Sequence, residues 1–349
     1  MIRAFFKYIV LPIVIAAALG GVYVSSLWSD IHAPYKGFAG EEQFVEVPPG
    51  SSTPEIGRRL VAGGVMPDEM TFRAALWMSG RSRSLKAGEY RFDRALSPLD
   101  VIEVVSSGDV YTRRITFPEG LTIAEMAKVY EDRGFGDAAT FVEAAGDESL
   151  VAGLDPLAGD LEGYLFPETY ALPRGTPAPR LVAMMVDRFK ATYTPELRAA
   201  AEAQGMTTRQ LMSLAALVEK ETGKPEERPI VAAVYRNRLK IRMGLQADPT
   251  VVYALQKAGR YDGNIRRDDL QFDSPYNTYR YAGLPPGPIA APGKAAIEAA
   301  LNPADVPYLY FVSRNDGSHV FSTTLAEHNR NVQRFQVEFF RQRRLQGAG

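Results

Sequence analysis

The stretch Leu214–Thr222, LAALVEKET, decides how the centre of this 349-residue chain folds. It ends a predicted helix that begins at a capping box of Thr207 and Gln210, in which each side chain bonds the other residue's backbone N–H. Apolar residues then recur at helical spacing and predict one buried face, formed by Leu211, Leu214, Ala215 and Val218. A glutamate, Glu219, follows at the edge of that face.

Glu219 is the first candidate for chemistry. A carboxyl group held against apolar surface resists ionisation, so its pKa rises. A raised pKa is what a general acid requires near neutral pH. A lone glutamate at a helix end is more often paired with a cation than catalytic, so this pattern by itself leaves both interpretations open.

The composition excludes several classes of function. Lys and Arg number 40 against 41 Asp and Glu, a formal net charge of −1, so no basic excess indicates nucleic acid as a partner. The chain has no cysteine, which excludes disulfides and thiolate chemistry. Its three histidines, His32, His319 and His328, lack the spacing of metal ligands. We therefore expect neither a metal site nor a cofactor.

Residues 1–30 are predicted to form a transmembrane anchor. The run from Tyr8 to Ser29 carries no charged residue, and about 20 apolar residues cross a hydrocarbon core as a helix. Arg3 and Lys7 precede the run, so the positive-inside rule places the N-terminus in the cytoplasm and the remainder outside. A cleaved signal peptide is the alternative, but the run is long for one.

Three segments follow the anchor. Residues 31–43 form a short tether, residues 44–112 predict a small βα domain, and residues 113–345 predict a mixed α+β domain of helices with short strands between them. The start of this last domain, residues 113–135, repeats the βα unit at residues 44–65. The repeated unit resembles LysM, a glycan-binding module; a small packing domain without a ligand is the alternative.

A substrate groove is predicted from residues 259–293, which are rich in Gly, Pro, Asp and Tyr and show little periodicity. So long an irregular segment inside a compact domain is usually functional. Sugar sites combine aromatic rings with planar amide and carboxylate groups. The candidate substrate-binding residues of this kind are Glu162, Gln246, Asp248, Tyr276, Asn277, Tyr279, His328 and Asn329.

Five groups of short sequence words, several of them six to ten residues long, carry a family resemblance. They are LEGYLFPETY at 161–170, LVEKET at 217–222, GLQADPTVVY at 244–253, SPYNTY at 274–279 with GLPPGPIA at 283–290, and YLYFV at 308–312 with EHN at 327–329. In this order and spacing they resemble the MltG, or YceG-like, family of endolytic murein transglycosylases. The resemblance covers nearly the whole chain.

The resemblance implies that residues 113–345 are an α+β catalytic domain in which Glu219 is the catalytic residue. It implies cleavage of β-1,4 bonds between MurNAc and GlcNAc within peptidoglycan strands, leaving 1,6-anhydro-MurNAc ends. Glu219 would act first as general acid and then as base. The implied partners are peptidoglycan glycan strands and the cell membrane, with peptidoglycan synthases as further candidates. The implied location is the inner membrane, single-pass, with the catalytic domain in the periplasm.

Other functions remain as alternatives. A hydrolytic muramidase would need a second carboxylate about 5–10 Å from the first, and Glu162 is the best candidate. A non-catalytic glycan-binding scaffold would use the repeat in residues 44–135. A pyridoxal-dependent lyase is disfavoured by the anchor and by the absence of a recognisable Schiff-base lysine. Glu221 points to a different helix face from Glu219, and we expect it to be structural, paired either with neighbours of Lys220 or with Arg236.

Overall fold

A computed structural model describes residues 10–346 of the chain. Within that range the protein is a mixed α+β structure with an N-terminal apolar helix. The predicted α+β class and the predicted N-terminal apolar helix are therefore confirmed. The chain divides into two compact units. Unit 1 runs to Arg114 and includes Ala171–Gly175, while unit 2 comprises Ile115–Tyr170 and the chain from Thr176 onward.

Helix α1 spans Leu11–His32. Its segment Ile13–His32 has a mean hydropathy of 1.4 over 18 residues and is long enough to cross a membrane, since a helix rises 1.5 Å per residue. From Ile13 to Asp30 its side chains are exposed, apart from the partly buried Leu27, and Ile31 is buried in the core of unit 1. Arg3 and Lys7, on which the predicted orientation depends, lie outside the described residues.

Unit 1 is built around a two-stranded antiparallel sheet. Strand β1 (Gln43–Val47) pairs with β2 (Gly88–Phe92), with Val45 opposite Tyr90. Helices α2 (Thr53–Ala62) and α3 (Glu69–Ser79) lie between these strands in sequence, and α4 (Pro98–Ser107) follows them. Alternate strand residues and one face of each helix fill the core, represented by Val47, Leu60, Phe72, Tyr90 and Ile102.

A second β-α-α-β arrangement follows. Strands β3 (Thr112–Thr116) and β4 (Thr169–Pro173) form a two-stranded sheet. Between them the chain forms α5 (Ile123–Asp132), α6 (Ala138–Ala145) and a short 3₁₀ turn (Glu148–Val151). The segments 43–92 and 112–173 therefore share the order strand, two helices, strand.

Unit 2 continues as a group of helices around α9 (Thr208–Glu221). The others are α7 (Ala178–Thr192), α8 (Pro195–Ala203), α10 (Arg228–Lys240), α11 (Asp248–Lys257) and α12 (Lys294–Leu301), with a 3₁₀ turn at Arg267–Gln271. The predicted capping box of Thr207 and Gln210 is confirmed. All residues from Leu211 to Val218 are buried, against α8, α10, α11 and α12. A helix buried on every side in this way belongs in a core, and only its two ends, at Arg209–Gln210 and in its last turn, reach solvent.

The C-terminal part begins with a β-hairpin of β5 (Tyr310–Ser313) and β6 (His319–Ser322). Helix α13 (Leu325–Val332), a π-helical segment (Gln333–Glu338) and α14 (Phe339–Gln346) follow. The hairpin packs against α10 and α13, so it joins the end of the chain to the central helices.

Candidate active site

Glu219 lies in the last turn of α9, where the buried helix meets the surface, and its side chain is only 6% exposed. Its Oε1 accepts a hydrogen bond from Arg228 Nη2 at 3.0 Å. Its Oε2 accepts one from the backbone N–H of Gly293 at 3.0 Å. Both oxygens therefore have a donor, and the carboxyl group is held in one orientation.

The pKa of Glu219 is raised, chiefly because burial removes water from the ionised form. The charge of Glu119 raises it further, whereas the Gly293 N–H and the Arg228 guanidinium favour the carboxylate and oppose the rise. The rise in pKa predicted from the apolar helix is thus found. The Glu219 carboxyl group therefore keeps its proton to higher pH, and when it ionises, each of its oxygens already accepts a hydrogen bond.

Arg228 is shared between two carboxyl groups. Its Nη2 also lies 3.5 Å from Oε2 of Glu119. Since both glutamates contact one nitrogen atom, these two oxygens are at most roughly 6.5 Å apart, so Glu119 is a second carboxyl group close to Glu219, as a glycoside hydrolase requires. Glu119 is half exposed, at 45%, whereas Arg228 is 12% exposed. The site therefore has one buried carboxyl group and one that solvent reaches.

The loop that carries Glu119 is fixed by backbone hydrogen bonds. The N–H of Gly120 donates to the Ala291 carbonyl at 2.8 Å, and Lys220 Nζ donates to the Gly120 carbonyl at 3.0 Å. Gly120 has φ +78°, a left-handed conformation that glycine adopts without strain. At Gly293, a Cβ atom would lie 1.8 Å from Glu119 Oε1. The glutamate can occupy its position only because residue 293 has no side chain.

Glu221 lies on a different face of α9 from Glu219, as predicted, but the predicted pairing with Arg236 is wrong. Glu221 accepts a hydrogen bond from the Tyr235 hydroxyl at 2.5 Å. Arg236 donates instead to Gln204 at 2.8 Å, because adjacent residues of α10 point in different directions. Burial, with the charge of Asp248 adding to it, raises the pKa of Glu221 to about 7.

Three predicted groove residues lie close together near the start of α11. Asp248 accepts a hydrogen bond from the Tyr279 hydroxyl at 2.6 Å. The N–H of Gln246 donates to the Thr278 carbonyl at 3.3 Å, which brings it beside the same loop. Gln246 is exposed and has φ +48°, an uncommon conformation for a residue with a side chain. Such strain is often found at functional sites.

His328 and Asn329 are the predicted residues from α13. The His328 ring stacks on Tyr310, with 5.2 Å between the ring centroids, and Arg238 lies 5.5 Å from the same tyrosine ring. Arg238 also donates to the carbonyl of Leu245, the residue before Gln246. Burial, and then the charge of Arg238, lower the pKa of His328. Asn329 is exposed on the same helix.

Asn277 occupies a position that does not fit the predicted sugar contact, because its side chain is completely buried. Its amide donates to the carbonyls of Leu270 and Phe272 at 3.1 and 2.8 Å and accepts from the Tyr279 N–H at 3.0 Å. All of these partners belong to the irregular segment itself. We therefore assign Asn277 to holding the shape of that segment.

Glu162 and Tyr276 lie together, with hydrogen-bond partners that differ from those of Glu219. Glu162 is 7% exposed and accepts hydrogen bonds from the Ile123 N–H at 3.2 Å and the Tyr253 hydroxyl at 3.3 Å. Burial raises its pKa to about 8. The Tyr276 ring packs 4.8 Å from that of Tyr253. Glu162 and Tyr276 both line a polar cavity of about 240 Å³ that also contains Arg209.

The partners of Glu219 were not identified from the sequence, although two of them leave a signal there. A cation at the first position of a helix, as Arg228 is in α10, is opposed by the helix dipole and so suggests another role. Glu119 stands where the first copy of the repeat has Pro49. Gly293 leaves no signal that separates it from other glycines. Within residues 10–346, no group of three or more His, Asp or Glu is arranged to hold a metal ion.

Comparisons with known proteins identify relatives over most of the chain. The YceG-like family matches residues 45–334. The endolytic murein transglycosylase of Bacillus subtilis (strain 168) is 33% identical over 308 residues, covering 83% of this chain and 84% of that protein. The endolytic murein transglycosylase of Streptococcus pneumoniae serotype 2 (strain D39) is 30% identical, covering 82% of this chain but 57% of that protein.

A solved structure is similar as well. The 2.6 Å crystal structure of a yceG-like protein from Listeria monocytogenes superimposes with a TM-score of 0.56 at 30% identity. The match covers 84% of this chain and 99% of that one.

Proposed function

The chain belongs to the YceG-like family, and from this premise we propose that it is an endolytic murein transglycosylase, a lyase that cuts peptidoglycan strands internally. The names of its relatives support the reaction class. One observation supports Glu219 as the catalytic residue. Its carboxyl group is buried, its pKa is raised, and each of its oxygens accepts a hydrogen bond.

Glu219 begins the reaction as the general acid. Its protonated carboxyl gives a proton to the glycosidic oxygen while the bond from that oxygen to C1 of MurNAc breaks, so that GlcNAc leaves as an alcohol. The positive charge at C1 is taken up by the N-acetyl group of the same MurNAc. Arg228 and the Gly293 N–H then stabilise the Glu219 carboxylate, since each already donates to one of its oxygens.

Glu219 completes the reaction as the base. The carboxylate accepts the proton of the C6 hydroxyl of MurNAc as that oxygen bonds to C1. A 1,6-anhydro ring forms, and no water is consumed. Glu219 finishes protonated, as it started, so one carboxyl group suffices for a complete cycle.

Hydrolysis by the same site is the second candidate function, and the proximity of Glu119 is the observation that favours it. Both glutamates contact the same nitrogen of Arg228, and hydrolases use two neighbouring carboxyl groups. Glu162, the second carboxylate proposed from the sequence, is a poor candidate for the general base of a hydrolytic reaction. It accepts the Ile123 N–H and, with a pKa of about 8, keeps its proton at neutral pH.

We further propose that the glycan strand is held by the exposed groups around Gln246, Asp248 and Tyr279 and by His328 and Asn329. Asp248 and Tyr279 present a carboxylate and a ring side by side, the combination that sugar sites use. Unit 1 is proposed to bind glycan as a LysM-like domain. In support, it has an open pocket of about 710 Å³ in which Tyr111 lies with Arg91 and Asp109.

The protein is proposed to be a single-pass inner-membrane protein whose chain after α1 lies in the periplasm. Helix α1 supports this, because Ile13–His32 is a 20-residue segment that is apolar enough and long enough to span the membrane. Peptidoglycan synthases are candidate partners, because the membrane is where new strands emerge.

Mass analysis of the fragments released from purified peptidoglycan tests the function. We expect products ending in 1,6-anhydro-MurNAc, lighter by one water than hydrolytic products, and released as long internal pieces from the start of the digest. Reducing MurNAc ends formed directly would show that water is the acceptor and would support hydrolysis. Binding to peptidoglycan without any cleavage would support the non-catalytic scaffold.

A further inference from the structure

The chain contains two tryptophans, Trp28 and Trp77. Trp77 is 81% exposed, more than any other large apolar side chain in the range 13–341. Trp28, near the end of α1, is 58% exposed. An indole ring gains stability from burial of its large surface, so a tryptophan left almost bare in a folded unit suggests a partner.

Trp77 belongs to an outward face of α3. Met70, Arg73 and Trp77 recur at positions i, i+3 and i+7, so their side chains lie on one side of the helix. Met70 is 53% exposed, and the side chain of Arg73 is 65% exposed and pairs with the half-exposed Glu69 at 3.7 Å. The opposite side, with Phe72 and Leu76, is buried in the core of unit 1. The outward face therefore offers two large apolar groups, with the Arg73–Glu69 ion pair between them, to whatever lies beside it.

The position of α3 in unit 1 indicates what lies there. Helix α1 packs against α3, and Ile31 in the last turn of α1 is buried in the same core cluster as Phe72 and Leu76. The apolar segment of α1 ends at His32. A span of 20 residues rises about 30 Å, the thickness of the hydrocarbon core. When α1 spans the membrane, its last turn and the helix packed on it lie at the membrane surface.

The loop after α3 adds positive charge. Residues 80–86, GRSRSLK, contain Arg81, Arg83 and Lys86 and no acidic residue. Arg81 is paired with Glu103, and Lys86 donates to the Ser107 carbonyl, whereas Arg83 is exposed. Tryptophan rings prefer the headgroup region of a bilayer, and basic side chains are attracted to anionic phospholipids.

We propose that the outward face of α3, formed by Met70, Arg73 and Trp77, docks into the headgroup layer of the membrane that α1 crosses, with the 80–86 loop against anionic lipid. This rests on the proposed membrane topology. Unit 1 would then be attached at two points, the end of α1 and the face of α3. Two attachments prevent it from turning freely about the anchor and fix its height above the bilayer.

The two tryptophans allow a direct test on the full chain, reconstituted into vesicles of phosphatidylethanolamine and phosphatidylglycerol with no other protein. Trp28→Phe leaves Trp77 as the only tryptophan, and Trp77→Phe leaves Trp28 as the matched reference. Both sites are exposed, so neither change disturbs the core. Lipids with brominated acyl chains should quench most of the emission of each single-tryptophan variant, and aqueous acrylamide should quench Trp77 weakly.

The outcomes separate this proposal from the topology on which it rests. Quenching of Trp28 by brominated lipid, with Trp77 open to acrylamide, would overturn docking and leave the anchor intact. Loss of quenching at both positions would overturn the membrane span as well. Replacing phosphatidylglycerol by neutral lipid, or Arg83→Glu, should weaken quenching of Trp77 and leave that of Trp28 unchanged. An unchanged Trp77 signal in these conditions would exclude the basic loop from the docking surface.

Discussion

Replacing Glu219 by glutamine tests the proposed chemistry most directly. The amide has the size of the carboxyl group but can neither give nor accept the reacting proton. Its oxygen can keep the Gly293 N–H, and its NH₂ then faces Arg228, a second donor. We expect a loss of at least ~10²-fold in cleavage rate, the usual scale for a positioned acid–base group.

The effect on folding should be much smaller. One charge-assisted hydrogen bond is lost, worth about 1.5–3 kcal/mol, but the buried site no longer has to hold a charge, which offsets part of the cost. A net change within about 2 kcal/mol leaves nearly all of a protein with ordinary stability folded. A hundredfold rate loss corresponds to about 2.7 kcal/mol in the barrier. Cleavage of purified peptidoglycan and denaturant unfolding should therefore separate the two effects.

Glu119→Gln is the matched control, because it makes the same chemical change at the other carboxyl group on Arg228. In the lytic reaction Glu119 moves no proton, so we expect activity within about tenfold of the wild type. The Glu119 charge raises the pKa of Glu219. Its removal should lower that pKa and shift the loss of activity at high pH to lower pH. Full activity of Glu219→Gln would refute the assigned mechanism. Equal losses in both variants, with hydrolytic products, would support paired carboxylates.

The remaining predictions concern stability and topology. Glu162 has its pKa raised from 4.5 to about 8, so its contribution to stability is complete below pH 4.5 and is lost as the pH rises toward 8. Glu162→Gln should therefore gain stability relative to the wild type between pH 5 and 8 in guanidinium unfolding, and a constant difference would contradict this. Asn277→Ala should destabilise the protein by about 2–4 kcal/mol, because three buried hydrogen bonds are lost. Tyr279→Phe is the comparison, because it removes only one hydrogen bond, to the exposed Asp248. It should lower the free energy of unfolding by less than about 1.5 kcal/mol. A similar cost for both would mean that the Asn277 bonds do not hold the loop. A reporter enzyme active only outside the cytoplasm, fused after Gly349, should be active, and activity of a cytoplasmic reporter there would reverse the orientation.

Local sequence patterns determine a substantial part of the secondary structure of this protein. The capping box and buried face of α9, the apolar α1 and the order of elements in the repeat all depend on residues a few positions apart. Helix caps and amphipathic faces are properties of neighbouring residues, so they can be read from the chain directly. The same patterns placed Glu219 against apolar surface, and its raised pKa agrees with that position.

The surroundings of Glu219 were decided by tertiary structure alone. Gly293 donates to it across 74 residues of sequence, and Lys220 binds the Glu119 loop across 100. Asn277 has the residue type of a sugar ligand but is buried as a loop support. Which distant segments meet depends on the packing of the whole helical core, and a residue's type does not reveal whether its polar atoms are satisfied inside the protein or left for a ligand.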